Sequence, residues 1–426
     1  MQLHLKNVGV IKDGTIDVSG LTVIVAQGGM GKTTICKSLY ATLLASQHLT
    51  TKVVNVKRSQ IVNLLCEAVV QSRAEHSAEF NRQLLDRSII LAKQLINENT
   101  VVQAPSAINK IVNQHVEEFG LHNEARDWLL KQIRPIAQSS LLEAFKTFYA
   151  YQYQNAFHGL IHNIYEKDQR SSISLKHGDK TTEITFRNSK IVDLINPVEF
   201  DEVPILIDNF ARLFDELSCS VDKKPISKET TVPAVSGQTD QQQLSQETRA
   251  VVDLLEKEAK GKLISTKHYG ITFLSFMNSK PKLDLRNLDS RQKTFLSLAE
   301  LIKQGHLKEN TCLIIDTADG FLHPAQQVEL AAILIRLQRI LNLRLVIATH
   351  SPYVLGALES LTNKEHFQGA NFYHLAKEEV CVQLTDISTN LGIAYNELTQ
   401  PYQVIEDLDE KGAATQTTGD LFSARS

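Results

Sequence analysis

The run Ala26-Gln-Gly-Gly-Met-Gly-Lys-Thr33, extended by Thr34, is the stretch whose residue types and spacing most clearly carry chemistry. That chemistry is the holding of a polyphosphate. Gly28, Gly29 and Gly31 leave backbone N–H groups open to phosphate oxygens, and a helix opening at Lys32 adds partial positive charge. Lys32 has the reach for β- and γ-phosphates, and Thr33 offers a hydroxyl to Mg²⁺. Ala26 stands where the motif's first glycine usually does; its small side chain weakens the match without breaking it. A glycine turn ahead of any buried helix is the plain alternative. It loses because strand, Gly-Lys-Thr and helix occur together.

Two more residues end apolar strands. Thr311-Cys-Leu-Ile-Ile315 runs into Asp316, a carboxylate suited to hold Mg²⁺ through water opposite Thr33. Arg344-Leu-Val-Ile-Ala348 runs into Thr349-His350-Ser351-Pro352, and His350 there can reach a γ-phosphate or an attacking water. The competing roles are ordinary ones: an Asp that ends a strand or caps a helix, and a structural histidine.

The elements that must position these groups are readable nearby. Leu21–Val25 is a short apolar strand before the loop, and Ile35, Leu39 and Leu43 mark one face of the helix after it. Leu330, Leu334, Leu337 and Leu341 do the same between the two later strands. Strands sharing a sheet with helices on its faces predict an α/β fold with a parallel core. Leu3, Leu5 and Val8, then Ile11, Ile16 and Val18, predict an antiparallel pair turning at Gly14.

From Val56 to about Asp168 the pattern is helical and polar. Helical spacing covers 61–70, 78–96, 107–119, 124–133 and 141–162, with Pro105, Gly120 and Pro135 as breaks. The aromatic cluster Tyr149, Tyr151, Tyr153 and Phe157 has few basic neighbours and reads as a buried helix face rather than a base-stacking platform. His158 and His162 lie four apart on that expected helix but lack an acid between them, so a structural role outweighs a metal. Glu75-His76 has no second histidine at helical spacing and is no zinc-protease helix. Strands follow at 172–175 and 182–186, an apolar run at 203–207, a helix at 248–260 and a hairpin at 263–276.

Composition narrows the class. The chain of 426 residues is 42% apolar with net charge −3, which gives no overall pull toward nucleic acid or anionic membrane. Its five cysteines are scattered without a Cys-x-x-Cys pair, which fits a reducing, cytoplasmic setting. The most apolar long stretch, 330–348, contains Arg336, Arg339 and Arg344, so no membrane span is expected, and the N-terminus shows no targeting pattern.

The order of motifs resembles a family. Phosphate loop, Leu288-Asp-Ser-Arg-Gln-Lys293, Leu313-Ile-Ile-Asp-Thr-Ala-Asp-Gly-Phe-Leu-His-Pro324 and Thr349-His-Ser-Pro-Tyr353 together look like the ABC-type ATPases of the RecF/SMC-like group. Within it they are most similar to compact bacterial AAA-family ATPases of phage-defence operons, including the ATPase subunit of Septu-type systems. The resemblance covers the opening strands through Ala41 and the chain from Lys262 to about Tyr402. It implies an ABC/RecF-like P-loop NTPase, a mixed sheet flanked by helices with a helical insertion. The head would comprise 1–55 and 262–408, the insertion 56–168, a strand/helix part of the head 169–222, a flexible linker 223–246 and a disordered tail 409–426. It also implies ATP and Mg²⁺ as ligands and a homodimer or higher oligomer with nucleotides sandwiched between heads. An effector partner such as a nuclease and possible contact with nucleic acid come with it.

Residue by residue, Gly28, Gly29, Gly31, Lys32, Thr33 and Thr34 match the family's phosphate-binding half, with Thr33 and Asp316 at the metal. Ser290, Arg291 and Gln292 fall in the signature loop that serves the opposite subunit. His350, Asp319 and Thr317 fall at the hydrolytic positions. Departures cluster at that end. Thr317 stands where the family has the Glu that polarises water, and a threonine is no base at neutral pH. Asp319 matches a second acidic position. Asp289 replaces the signature's first Ser; facing a γ-phosphate, a carboxylate costs about 4 kcal/mol at roughly 4 Å and an effective dielectric near 20. Arg291 replaces its Gly and would offset that charge or act as an arginine finger. The expectation is binding of ATP·Mg²⁺ with weak turnover. The alternatives are a RecF-like DNA clamp, or a non-catalytic head paired with an intact relative.

Overall fold

Aliphatic runs set the centre of the fold. The computed structural model describes residues 1–72, 78–97, 104–119, 121, 123–163, 165, 170–200, 203–219, 244–266, 270–276, 282–364, 367, 369–378 and 380–410. The chain opens with β1 (Gln2–Val8), β2 (Ile11–Asp17), β3 (Leu21–Val25) and α1 (Lys32–Ser46). Helices α2 (Leu49–Ser72), α3 (Ala78–Leu95), α4 (Pro105–Phe119), α5 (Asn123–Gln138) and α6 (Leu141–Phe157) follow. Next come β4 (Arg170–His177), β5 (Lys180–Arg187), β6 (Lys190–Ile195), β7 (Pro204–Ile207), α7 (Phe210–Cys219) and α8 (Gln246–Glu258). After β8 (Gly261–Thr266), β9 (Gly270–Ser275) and β10 (Lys282–Leu283) come α9 (Ser290–Lys303), β11 (Cys312–Asp316) and α10 (Pro324–Leu341). The described chain closes with β12 (Arg344–Thr349), α11 (Pro352–Lys364), β13 (Ala370–Glu378), β14 (Cys381–Asp386) and α12 (Gly392–Glu410).

Chain contacts divide the protein into two compact units: residues 1–44, 153–192 and 202–426, and residues 45–152 with 193–201. In the first, eleven strands form one sheet in the order β6-β5-β4-β1-β2-β14-β13-β3-β12-β11-β7. From β13 to β7 every pairing is parallel. Every residue of β3, β7 and β11 is buried, as expected for parallel strands covered on both faces. β1 pairs antiparallel with β2 and β4, and β4 with β5, whereas β2 pairs parallel with β14. Against the parallel strands, Phe295 and Leu298 of α9 and Leu330, Leu334 and Leu337 of α10 join Val23, Val25, Leu313 and Ile347 in one core. Each such side chain contributes about 1.5–3 kcal/mol by burial.

The second unit is helical, with its own core of Ile61, Leu65, Leu91, Leu95, Ile108, Leu129 and Ile133. Two cations of α2 serve the ends of other helices. Arg58 Nε donates to Ile96 O and Lys57 Nζ to Ser139 O, each at 2.8 Å. They satisfy carbonyls that a helix C-terminus leaves open.

Four local expectations need correction. The first hairpin turns at Gly9 and Val10; Gly14 lies inside β2, opposite Leu5. It is glycine because a Cβ there would stand 2.7 Å from Leu384 Cβ. Pro135 does not break its helix: α5 runs on to Gln138, and Ser139 N donates to Pro135 O at 2.9 Å. A proline in the last turn removes one hydrogen bond, which the buried face of Leu129, Ile133 and Ala137 outweighs. Helix α6 stops at Phe157 because His158 is left-handed (φ 50°), so His158 and His162 do not share a helix. His162 Nδ1 bonds Ser189 Oγ at 2.8 Å. Finally, Tyr151 is 55% exposed while Tyr149 and Tyr153 are buried, so only part of the aromatic cluster is a core face.

The linker expected at 223–246 and the tail at 409–426 fall largely on residues outside those described, as does Glu75-His76. Among the described residues no helix is long and apolar enough to cross a membrane.

Candidate functional site

The carboxyl ends of β3, β11 and β12 converge, and the groups singled out above stand on them. β3 ends at Val25, which is in register with Thr349 of β12; Asp316 of β11 is in register with Ala348. The loop 26–31 then leads into α1. Gly29 (φ 79°) and Gly31 (φ 92°) are left-handed, a conformation costly for other residues. A Cβ on Gly31 would press Val10 and Ile11 at 3.0–3.1 Å, whereas Cβ atoms on Gly28 or Gly29 would meet nothing within 4 Å. The loop is thus packed behind and open in front, a cradle of the shape a polyphosphate needs.

Lys32 is buried, and its Nζ donates to Ala26 O and Gln27 O, both at 2.7 Å. Burial pulls its pKa below the ordinary lysine value, opposed by the charges of Asp319 and Asp316. Thr33 hydrogen-bonds the Asp316 carboxylate. Burial pushes the Asp316 carboxyl up, and Thr33 and Lys32 only partly offset it. The hydroxyl and carboxylate expected at a magnesium ion therefore meet directly, and with the open loop the residues fit ATP·Mg²⁺. Among the described residues no group of three or more His, Cys, Asp or Glu is placed to hold a metal ion.

After Asp316 the chain turns sharply. Thr317 has φ 66°, a genuine outlier for a β-branched residue. Thr317 N and Ala318 N both donate to Ala348 O, at 3.1 and 3.2 Å. This turn carries Asp319 to β12. Thr349 Oγ1 donates to Asp319 Oδ1 at 3.1 Å, and His350 Nδ1 lies 2.9 Å from Asp319 Oδ2. Burial is the largest influence on the Asp319 carboxyl and pushes it up, but His350, Thr349 and the backbone together hold it below the usual range. An ionised carboxylate is acceptor-only, so His350 carries its proton on Nδ1 and presents Nε2 outward. The His350 side chain is 54% exposed.

Sequence reasoning missed Gln327. Its Nε2 donates to Leu322 O (2.9 Å) and Asp319 O (3.3 Å), and its Oε1 accepts from Ser351 Oγ at 2.6 Å. It brackets the acidic turn against the turn bearing His350. A signal existed: Gln327 is the polar member of the otherwise apolar face 327, 330, 334, 337, 341 of α10.

The signature-like residues are placed elsewhere. Among the described residues no hydrogen bond or ion pair joins residues 289–293 to the phosphate loop. Asp289 caps α9, accepting from Gln292 N at 2.7 Å, while Gln292 Oε1 accepts from Asp289 N. Arg291 pairs with Glu258 and Glu329, and its Nε donates to Glu258 O. Ser290 O accepts from Thr294 Oγ1 at 2.8 Å. The Asp289 charge is thus already engaged by backbone, and Arg291 is engaged by two carboxylates of its own chain.

The strand order and the loop define an α/β fold, a large mixed sheet flanked by helices with a glycine loop between β3 and α1. No family model matches the chain, and no curated protein matches it. Among solved structures, an SMC head bound to the C-winged helix domain of ScpA is similar at TM-score 0.43 and 11% identity, covering 92% of this chain and 98% of that one. The SMC head domain from Thermotoga maritima is similar at TM-score 0.33 and 9% identity, covering 91% of this chain and 98% of that one. Both likenesses are distant, and the fold statement rests on the strand order and the loop.

Proposed function

We propose that the protein is an ABC-type head that binds ATP·Mg²⁺, pairs with a second head around it and hydrolyses it slowly. The observation that carries this reading is the contact of Thr33 with Asp316 beside the buried Lys32, at the foot of an open glycine loop. Backbone N–H groups of the loop and of the first turn of α1, through Thr34, take the phosphates. Lys32 exchanges its two carbonyl partners for phosphate oxygens. Thr33 and Asp316 are the groups that would hold the magnesium ion, which supplies charge neutralisation at the phosphates. His350, oriented by Asp319, offers Nε2 as a proton acceptor for water or as a hydrogen-bond partner for a γ-phosphate. Thr317 supplies no base, and this limits turnover.

The second head would bring Ser290 and its neighbours to the opposite face of the nucleotide. Control of an effector such as a nuclease, in anti-phage defence, is the further reading, and the motif resemblance alone supports it.

The test titrates a fluorescent ATP analogue with Mg²⁺ and follows light scattering and phosphate release on the same protein. Expected are saturable binding and ATP-dependent dimerisation, both lost in Lys32→Ala, with release below about 1 per second. Thr317→Glu is expected to raise release. Wild-type turnover well above that rate, abolished by Lys32→Ala, would overturn the slow-hydrolysis reading. No binding at all would overturn the nucleotide reading. ATP-dependent, salt-sensitive DNA binding would favour the clamp alternative.

A further inference from the structure

Val25, the last residue of β3, is flanked on one side by Thr349 of β12 and on the other by His374 of β13. The β12 side carries the Asp319–His350 pair. The β13 side carries a second carboxylate–histidine pair, which the proposed chemistry does not use. His374 Nε2 hydrogen-bonds Glu397 Oε2 of α12. Glu397 Oε1 in turn accepts from the backbone N–H of Gln27, in the phosphate loop, at 3.3 Å.

The peptide unit involved is the one joining Ala26 to Gln27. Its carbonyl, Ala26 O, accepts from Lys32 Nζ at 2.7 Å. Its N–H points the other way, to Glu397. One peptide plane is therefore gripped at both ends, by the lysine from within the loop and by α12 from outside. A polyphosphate that draws Lys32 away removes the inner grip and leaves the outer one. In a loop of glycines, which resists rotation least, that outer hydrogen bond decides which way the peptide faces. His374 is buried and Glu397 is 22% exposed at its side chain, so the acceptor is held in place by a group that cannot itself move far.

We infer that Glu397, oriented by His374, is a positioning residue of the phosphate loop and couples the C-terminal helix α12 to occupancy of that loop. The coupling rests on the nucleotide reading above; the positioning does not. Glu397 touches the backbone of the loop, and its role is to set the Ala26–Gln27 peptide, not to react.

The experiment separates the two. Hydrogen–deuterium exchange at the Gln27 amide, without nucleotide, compares wild type, Glu397→Ala and Glu397→Gln, with melting curves to show that all three fold. Protection is expected to fall about tenfold in Glu397→Ala, the loss of one hydrogen bond to a charged acceptor at the weak end of its range. Most of it should return in Glu397→Gln, which keeps an acceptor oxygen. A fluorescent ATP analogue is then added with Mg²⁺. Exchange across residues 392–406 should change on binding in wild type and not in Glu397→Ala, and affinity should drop severalfold in Glu397→Ala but not in Glu397→Gln. Equal Gln27 exchange in folded wild type and Glu397→Ala would overturn the positioning role, even with ATP bound. Unchanged α12 exchange in a wild type that binds ATP would overturn the coupling. A wild type that binds no ATP would overturn the nucleotide reading and the coupling with it, and the Gln27 comparison would still decide the positioning.

Discussion

Asp316 and Asp319 lie three residues apart, are both buried, and are shifted in opposite directions. The Asp316 carboxyl is raised, so the folded chain holds that proton more tightly than the unfolded chain. Its contribution to stability is complete below the usual carboxylate range and is lost as pH rises through the raised value. Asp319 is depressed, so its contribution is present above the usual carboxylate range and is lost as pH falls through the depressed value. At neutral pH, in buffer free of nucleotide and divalent cations, Asp316→Asn is therefore expected to melt higher than wild type and Asp319→Asn lower. Melting curves at neutral pH check this, and equal shifts of one sign would refute it. Asp316→Asn should also lose affinity for the ATP analogue, a trade of stability for function at one residue. Thr317 stores strain of another kind. A β-branched residue at φ 66° costs about 1–2 kcal/mol, so Thr317→Gly should be neutral or stabilising despite the freedom glycine adds to the unfolded chain. Denaturant unfolding measures it; a loss of more than about 1 kcal/mol would show that the Thr317 side chain holds the turn in a way its backbone does not.

At the level of elements, the site depends on α10 as much as on the strands. Gln327 is a helix residue that satisfies a carbonyl of the acidic turn and the hydroxyl of Ser351 on the neighbouring turn. Gln327→Leu keeps a similar volume and removes those partners from buried groups, at a cost of about 1–3 kcal/mol for each group left unpaired. The expected result is a loss of stability together with a looser Asp319–His350 contact, because the turn bearing Asp319 is no longer held against the ring. The NMR signal of the His350 Nδ1 proton distinguishes this from simple destabilisation, in which that signal would be unchanged. The start of α9 shows a similar economy. Asp289, a poor residue to face a phosphate, is a good helix cap, and the structure uses it as one.

For the whole molecule, two units with separate cores imply separable stability. Ile133, fully buried in the helical unit, tests this. Ile133→Ala is expected to cost that unit about 2–5 kcal/mol and to leave affinity for the ATP analogue unchanged. Calorimetry with and without nucleotide reads both quantities. A parallel loss of affinity would mean that the phosphate site depends on the helical core. Nucleotide stabilises the unit that binds it, by about 2.7 kcal/mol at a hundredfold excess over Kd, so only one part of the unfolding profile should move with ATP.

Much of the parallel core was legible because its signals are local. Leu21–Val25, the glycine loop and Ile35-Leu39-Leu43 form a strand, a turn and a helix face whatever lies elsewhere. The runs ending at Asp316 and Thr349 are apolar enough to be buried strands by themselves. Composition and spacing likewise determined an α/β chain with a polar helical stretch. What only the tertiary structure decided was every pairing between distant residues. Gly14 reads as a turn locally, and the approach of Leu384 from β14 makes it a strand residue. Asp289 and Arg291 read as ligand-facing by motif position; the fold adds that Asp289 caps α9 and that Arg291 pairs with Glu258 and Glu329 within its own chain. Gln327 and Glu397 carry no motif, and their meaning comes from the carbonyl and N–H groups that packing sets in front of them. A sequence states which groups can donate and accept, but the directions in which hydrogen bonds form are fixed only once the backbone around them is closed.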